Sequence, residues 1–206
     1  MFDKVQDSGK RQQFETGSQR DTDEGKGNPS LVAWEAFLKV KEYKNSSLYA
    51  LYIEEGESLI GAIETLLWRF SIPCYNRHEN DFFLYKAINL SCLLICEQEK
   101  SSDYTRAYKR LAVHYQNGAK KYNKNNWRLG QYISRYYDSA MRHLWKISSN
   151  INDEDHYSAL LWNLVAIVQT KIDVEKGILS EKLNDFPFLV LEIKGEEKNE
   201  NSNKLE

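Results

Sequence analysis

A chain of 206 residues with a formal net charge of −2 is long enough for one substantial core and too short for two full domains, and it carries no global basic field to draw in duplex nucleic acid. A hydrophobic share of 41% with 13% aromatics suits a dense globular core, and only three prolines and ten glycines favour long helices over many short strands. The opening MFDKVQDSGKRQQ lacks the apolar core of a secretory signal, and the longest apolar runs, near 88–96 and 158–169, are too short and interrupted to span a bilayer. A cytoplasmic protein without a membrane partner is therefore expected. Cys74, Cys92 and Cys96 show no metal spacing and read as buried, reduced thiols.

Residues 1–30 carry neither a helical nor a strand period and read as a terminal arm. Within them, Gly25-Lys26-Gly27 can wrap backbone N–H groups and one ammonium around a phosphate, with Arg20 as a second cation, although the rest of a P-loop is missing. Leu31, Trp34, Phe37, Leu38 and Val40 predict a short amphipathic helix over 31–44. Asn45-Ser46-Ser47 then offers a cap for a second helix over 48–70, whose apolar face includes Leu59, Ile60, Ile63, Leu67 and Phe70. Its acids, Glu54, Glu55, Glu57 and Glu64, read as a solvated face.

Pro73 breaks the chain, and 79–98 is apolar nearly all round, as a buried helix would be; a buried strand pair is the alternative. Asp103 can cap a helix that carries Tyr104, Tyr108, Leu111, Ala112 and Tyr115 at helical spacing, with Gly118 leaving room for a close approach. A basic, aromatic, Asn-rich turn follows, KKYNKNNW, in which Asn123 tolerates left-handed backbone. The next helix covers 132–149, with Asp138 and Arg142 at salt-bridge spacing. Asn152 or Asp153 would cap the last long helix, 153–174, in which Asn163 is a polar residue in an apolar run and needs a hydrogen-bond partner. Residues 184–194 suggest a docked extended segment and 195–206 a charged tail.

Four segments, FETGSQRDTDEGKG, LAVHYQNGAKKYNKNNWRLG, SRYYDSAMRHL and DEDHYSALLWNL, together resemble the phage-type dATP/dGTP diphosphohydrolases, the MazZ group of the MazG-like all-α nucleoside triphosphate pyrophosphohydrolases. The resemblance covers 14–30 and roughly 105–170. The chain departs from the family pattern twice. Residues 31–102 intervene between the GKG segment and the LAVHY helix, and Asn123 stands where a glycine usually follows the KY pair. The resemblance implies an all-α bundle of MazG-like type with an inserted helical segment. It would comprise an arm (1–30), the insertion (31–102), a catalytic core (103–175) and a C-terminal extension (176–206). It also implies hydrolysis of a purine deoxynucleoside triphosphate to the monophosphate and pyrophosphate, a divalent metal, and a homo-oligomer.

That chemistry needs hard oxygen ligands for Mg²⁺ or Mn²⁺, cations for the triphosphate and an in-line water. The metal candidates are Asp138, Asp153, Glu154, Asp155 and His156, with Glu154, Asp155 and His143 as the catalytic set. Neighbours within one helical turn point different ways, so the three consecutive acids cannot all grip one ion. Lys120, Lys121 and Arg142, with Arg20 and Lys26 from the arm, are candidates for the phosphates. Trp127 is placed to stack on the base, and Asn126 or Asn163 to read its edge. Two other classes compete: a non-catalytic nucleotide or single-stranded nucleic-acid binder built on KKYNKNNWR, and a helical assembly protein. The acidic cluster argues against the binder, because bare carboxylates repel a polyanion, and no stable nucleic-acid partner is expected.

Overall fold

The computed structural model describes residues 10–13, 15–16, 18–21, 24–44, 58–72 and 77–186. Six α-helices dominate these residues: α1 (Trp34–Lys44), α2 (Leu59–Ser71), α3 (Arg77–Gln98), α4 (Thr105–Tyr122), α5 (Ile133–Ser148) and α6 (His156–Glu175). The all-α reading is correct, and 79–98 is a helix rather than a strand pair. None of these helices is long and apolar enough to cross a membrane.

The apolar character of α6 follows from its neighbours. It packs against α1, α3, α4 and α5, so no face of its middle is left for water. Leu160, Leu161, Leu164, Val165 and Ile167 are wholly buried. Helix α3 joins the same core through Leu84, Ile88 and Ile95. A buried ion pair between Lys171 of α6 and Asp81 of α3 fixes their relative position. Cys92 and Cys96 are buried free thiols, and burial pushes the Cys92 thiol up to about 12.

Several local expectations need correction. The arm contains a short antiparallel ribbon, β1 (Arg11–Gln13) with β2 (Gln19–Asp21), which pairs Arg11 with Asp21 and Gln13 with Gln19. Helix α1 starts at Trp34 after a 3₁₀ turn, Pro29–Leu31, and buries Ala36 and Val40, while Trp34 and Leu38 are 40% and 60% exposed. Trp34 instead donates its indole N–H to the Pro29 carbonyl and meets Tyr108 edge-on. The cap of α2 is Ser58, whose Oγ accepts from the Gly61 N–H; the proposed cap at 45–47, with Glu54, Glu55 and Glu57, lies outside the described residues. Glu64 accepts a hydrogen bond from the Trp145 indole rather than simply facing water. The cap position of α4 is Tyr104 rather than Asp103, which lies one residue earlier and accepts from both the N–H and the hydroxyl of Thr105. Helix α6 begins later than 153, with Asp155 as its cap. Of the C-terminal segment, Asp185 caps α5 through Ser134, and Phe186 stacks on Tyr137 at 4.4 Å. Residues 187–206 lie outside the described residues.

The GKG turn is docked on α4. The Gly27 N–H donates to Gln116 and the Asn28 N–H to the Ala112 carbonyl. Both glycines have left-handed backbone, φ +69° at Gly25 and +79° at Gly27, but only Gly27 is crowded: a Cβ there would lie 3.0 Å from the Val113 backbone nitrogen and from Ala112 Cβ. Gly27→Ala should therefore detach the turn, whereas Gly25→Ala costs only the backbone penalty of about 1 kcal/mol. Amide exchange at Asn28 reads this directly. Strong acceleration is expected in Gly27→Ala and little change in Gly25→Ala.

Candidate active site

Helices α5 and α6 form an antiparallel pair joined by the loop 149–155, and their facing ends bring His143 against His156. The two Nδ1 atoms are 3.0 Å apart. Glu154, on the loop, places Oε1 3.7 Å from His143 Nδ1 and 3.6 Å from His156 Nδ1. His156 is buried, His143 nearly so, and Glu154 is half exposed at the opening. On the far side of the His156 ring, Nε2 lies 2.5 Å from Asp153 Oδ1, while Lys146 Nζ holds the other Asp153 oxygen at 2.8 Å. The Lys146 hydrogen bond is the main reason the Asp153 carboxyl is held down at about 2.

This group suits a divalent metal. A point equidistant from the three donor atoms lies about 2 Å from each, close to a first-row metal–ligand bond of ~2.0–2.2 Å. Asp153 completes a carboxylate–histidine arrangement: by accepting a hydrogen bond from Nε2–H it leaves the Nδ1 lone pair of His156 directed at the other donors. Burial, opposed by Glu154, lowers the pKa of His143, so its ring is neutral at neutral pH and available as a ligand.

A cavity of about 400 Å³ opens between α4, α5, α6 and the 123–131 turn. His114 and Arg142 line the end nearest the histidine cluster. His114, on α4, lies against Trp162, and its Nδ1 is 3.4 Å from Ser158 Oγ; burial lowers its pKa, with Asp155 and Glu154 pulling the other way. Tyr115, Tyr136, Trp127 and Trp162 form an aromatic wall of edge-to-face contacts. Asn126 and Asn163 also line the cavity, and Asn163 anchors its amide on the Ala159 carbonyl at 2.8 Å. Of the two non-glycine turn residues with positive φ, Asn125 is left-handed at φ 64°, ψ 16°, and Asn123 has φ 75°, ψ 154°; both support the idea that the turn needs asparagine or glycine there.

The structure thus gathers His143, Glu154 and His156 in one cluster, with Asp153 behind it. It places Asn126, Trp127, Arg142 and Asn163 in one cavity. It does not bring in the others. Asp138 is exposed and five residues before His143, about 140° round the helix from it, and makes no ion pair with Arg142. Asp155 turns to α4: Arg110 grips it with Nε at 2.7 Å and Nη2 at 2.8 Å, and its Oδ1 also caps α6. Burial pushes its pKa up, but the Arg110 and Ser158 hydrogen bonds outweigh this and leave it lowered. Lys120 and Lys121 are exposed in the last turn of α4, where they complement the helix dipole, and Lys121 sits over the Tyr122 ring. Lys26 is exposed on the docked GKG turn and is not a cavity residue; the Arg20 backbone lies on β2, and its side chain is outside the described residues. Gly118 lines the cavity with nothing within 4 Å of a built Cβ, so no close packing requires it. Sequence reasoning gave no role to His114, Arg135 or Ser139, which share the cavity; α5 spacing of 135, 139 and 142 was the available signal.

The described residues thus form an all-α domain in which buried imidazoles and a carboxylate lie near an aromatic cavity lined by Arg135 and Arg142. More specifically, residues 90–178 match the family model described as dATP/dGTP diphosphohydrolase, N-terminal. The match contains the cluster and most of the cavity; the FETGSQRDTDEGKG segment falls outside it. No curated protein and no solved structure matches the chain.

The Arg110–Asp155 pair ties α4 to the start of α6, and its role can be separated from chemistry. Asp155→Asn keeps the cap and loses the charge, so stability at pH 7 should fall by about 1–3 kcal/mol. Because the folded-state pKa of Asp155 is depressed, the wild-type advantage is complete above the unfolded carboxylate value and disappears as pH falls through the folded one. Urea titrations of both proteins from pH 7 down to pH 3 should converge at the acid end.

Proposed function

We propose that the protein hydrolyses a purine deoxynucleoside triphosphate, dATP or dGTP, to the monophosphate and pyrophosphate, with a divalent ion held by His143, Glu154 and His156. The observation that carries this reading is the convergence of His143, His156 and Glu154 near a nucleotide-sized cavity lined by His114, within the stretch that matches the diphosphohydrolase family. When bound, the ion supplies Lewis acidity and positive charge at the α-phosphorus. Two imidazoles beside one carboxylate suit Mn²⁺ better than Mg²⁺, which prefers oxygen ligands and keeps its waters.

The chain's own residues divide the remaining work. Asp153 fixes the His156 ring and its tautomer. Arg142, at the cavity wall beside the cluster, neutralises the reacting phosphate. His114 lines the cavity as a neutral imidazole and takes the proton of the attacking water. The new bond joins water oxygen to the α-phosphorus, and the bond from that phosphorus to the pyrophosphate oxygen breaks. Asp155 is committed to Arg110 and takes no direct part; Asp138 is likewise outside the reaction. The protein acts as a homo-oligomer in this reading, as the family resemblance implies.

Incubation of the purified protein with each deoxynucleoside triphosphate and Mn²⁺, followed by separation of products, tests the reading. Monophosphate with pyrophosphate is expected. Diphosphate with phosphate would change the reaction class, and oligonucleotide binding without turnover would favour a binder. Glu154→Gln and His156→Ala should each reduce turnover by about a hundredfold or more with the helical circular dichroism intact, and His114→Asn by about 10²–10⁴-fold. Since burial lowers both His114 and His143 from 6.5, the acid limb of the kcat profile should lie below that value. An acid limb at or above it would contradict these assignments.

A further inference from the structure

The far end of the cavity from the histidine cluster has a composition that the hydrolytic chemistry does not use. Arg135 lies on the same face of α5 as Arg142 but seven residues earlier, two turns or roughly 10 Å further from the cluster. The turn that leads into this end of α5 contributes Asn123, Asn125, Asn126 and Gln131 to the same cavity. Among the described residues, no carboxylate pairs with Arg135 and no side chain accepts a hydrogen bond from it. A cation on a cavity wall with no counter-charge has its donors available for a ligand.

What that ligand atom is follows from position. If the α-phosphate sits by Arg142 and the cluster, a nucleoside extending into the cavity runs along α5, past the aromatic wall, and brings its base to Arg135 and the amides. A guanidinium has five N–H donors and no acceptor. Guanine offers it two acceptors side by side, O6 and N7, and a bidentate pair forms. Adenine presents one acceptor, N7, next to the N6 amino group, a donor that opposes another donor. Carboxamides carry both a donor and an acceptor and fit either purine, so they hold the base without choosing.

We propose that Arg135 reads the O6/N7 edge of guanine and makes dGTP the preferred substrate over dATP. This rests on the hydrolytic reading above and adds base selection to it. Arg135 is a specificity residue two turns away from the reacting atoms.

The test is the ratio of kcat/KM for dGTP to that for dATP, with dGMP and dAMP binding measured by calorimetry in parallel. Wild type should favour dGTP by roughly ten- to a hundredfold, the scale of one good bidentate pair. Arg135→Met should remove most of that preference by lowering dGTP turnover while leaving dATP within about threefold. Arg135→Gln, which can give one donor and one acceptor to adenine N7 and N6, should shift the ratio toward dATP. Equal losses for both substrates, together with weaker pyrophosphate binding, would place Arg135 on phosphate and overturn the proposal while the hydrolase reading stands. A wild-type enzyme that prefers dATP, or shows no preference, would also overturn it. Failure of the wild type to bind or hydrolyse either nucleotide would overturn the hydrolase reading and this proposal with it.

Discussion

The site depends on a single hydrogen bond made at the start of a buried helix. His156 opens α6 at a point where the helix has already entered the core, so its ring is almost wholly removed from water. A buried imidazole has to satisfy both nitrogens. Asp153, three residues earlier on the loop, takes one, and Lys146 on α5 holds that carboxylate in place. The other nitrogen is then directed at His143 and Glu154. The 3.0 Å contact between the two Nδ1 atoms is a hydrogen bond in which one ring donates and the other accepts. The contact that satisfies the buried rings also brings their donor atoms together beside Glu154.

The rest of the architecture supports this arrangement. Antiparallel packing of α5 on α6 puts the two histidines level with one another, and the core that holds the two helices runs from Tyr136 and Leu144 to Leu160 and Leu164. Arg110 anchors α4 to the first turn of α6 through Asp155, which sets His114 beside Ser158 and closes the cavity on that side. The three consecutive acids of the DEDH run therefore serve three purposes: Asp153 orients a ring, Glu154 faces the donors, and Asp155 joins two helices. Their side chains diverge because the loop turns into a helix between them.

Much of this was legible in the sequence. The apolar run after Asp155 marked the central helix, and three of the four family-like segments, those after residue 110, contain the histidine cluster and most of the cavity lining, while FETGSQRDTDEGKG contributes to neither. Asn123, standing where the family has glycine, pointed to the positive φ now seen there. What the sequence could not convey were distances across the fold. Nothing local distinguishes Asp155 from Glu154, since the choice is made by Arg110, 45 residues away. Asp138 looked like a ligand because it precedes His143 on one helix, but five residues turn it out of reach. His114 lies within the LAVHY segment, but its role is not local: only packing brings it to the cavity beside Trp162. The docked GKG turn was hidden for the same reason, as its partner is the backbone of α4. The apolar period of 31–44 marks a helix but not its buried face: Ala36 and Val40 are buried, while Trp34 and Leu38 are exposed.

The central claim, that buried histidines and Glu154 form a divalent-metal centre, is tested most directly by electron paramagnetic resonance of Mn²⁺ titrated into the purified protein without nucleotide. The account predicts one tightly bound ion per chain with nitrogen hyperfine coupling from two imidazoles, reduced to one in His143→Ala. A spectrum of free aqueous Mn²⁺ throughout the titration, or a bound ion with no nitrogen coupling, would contradict it.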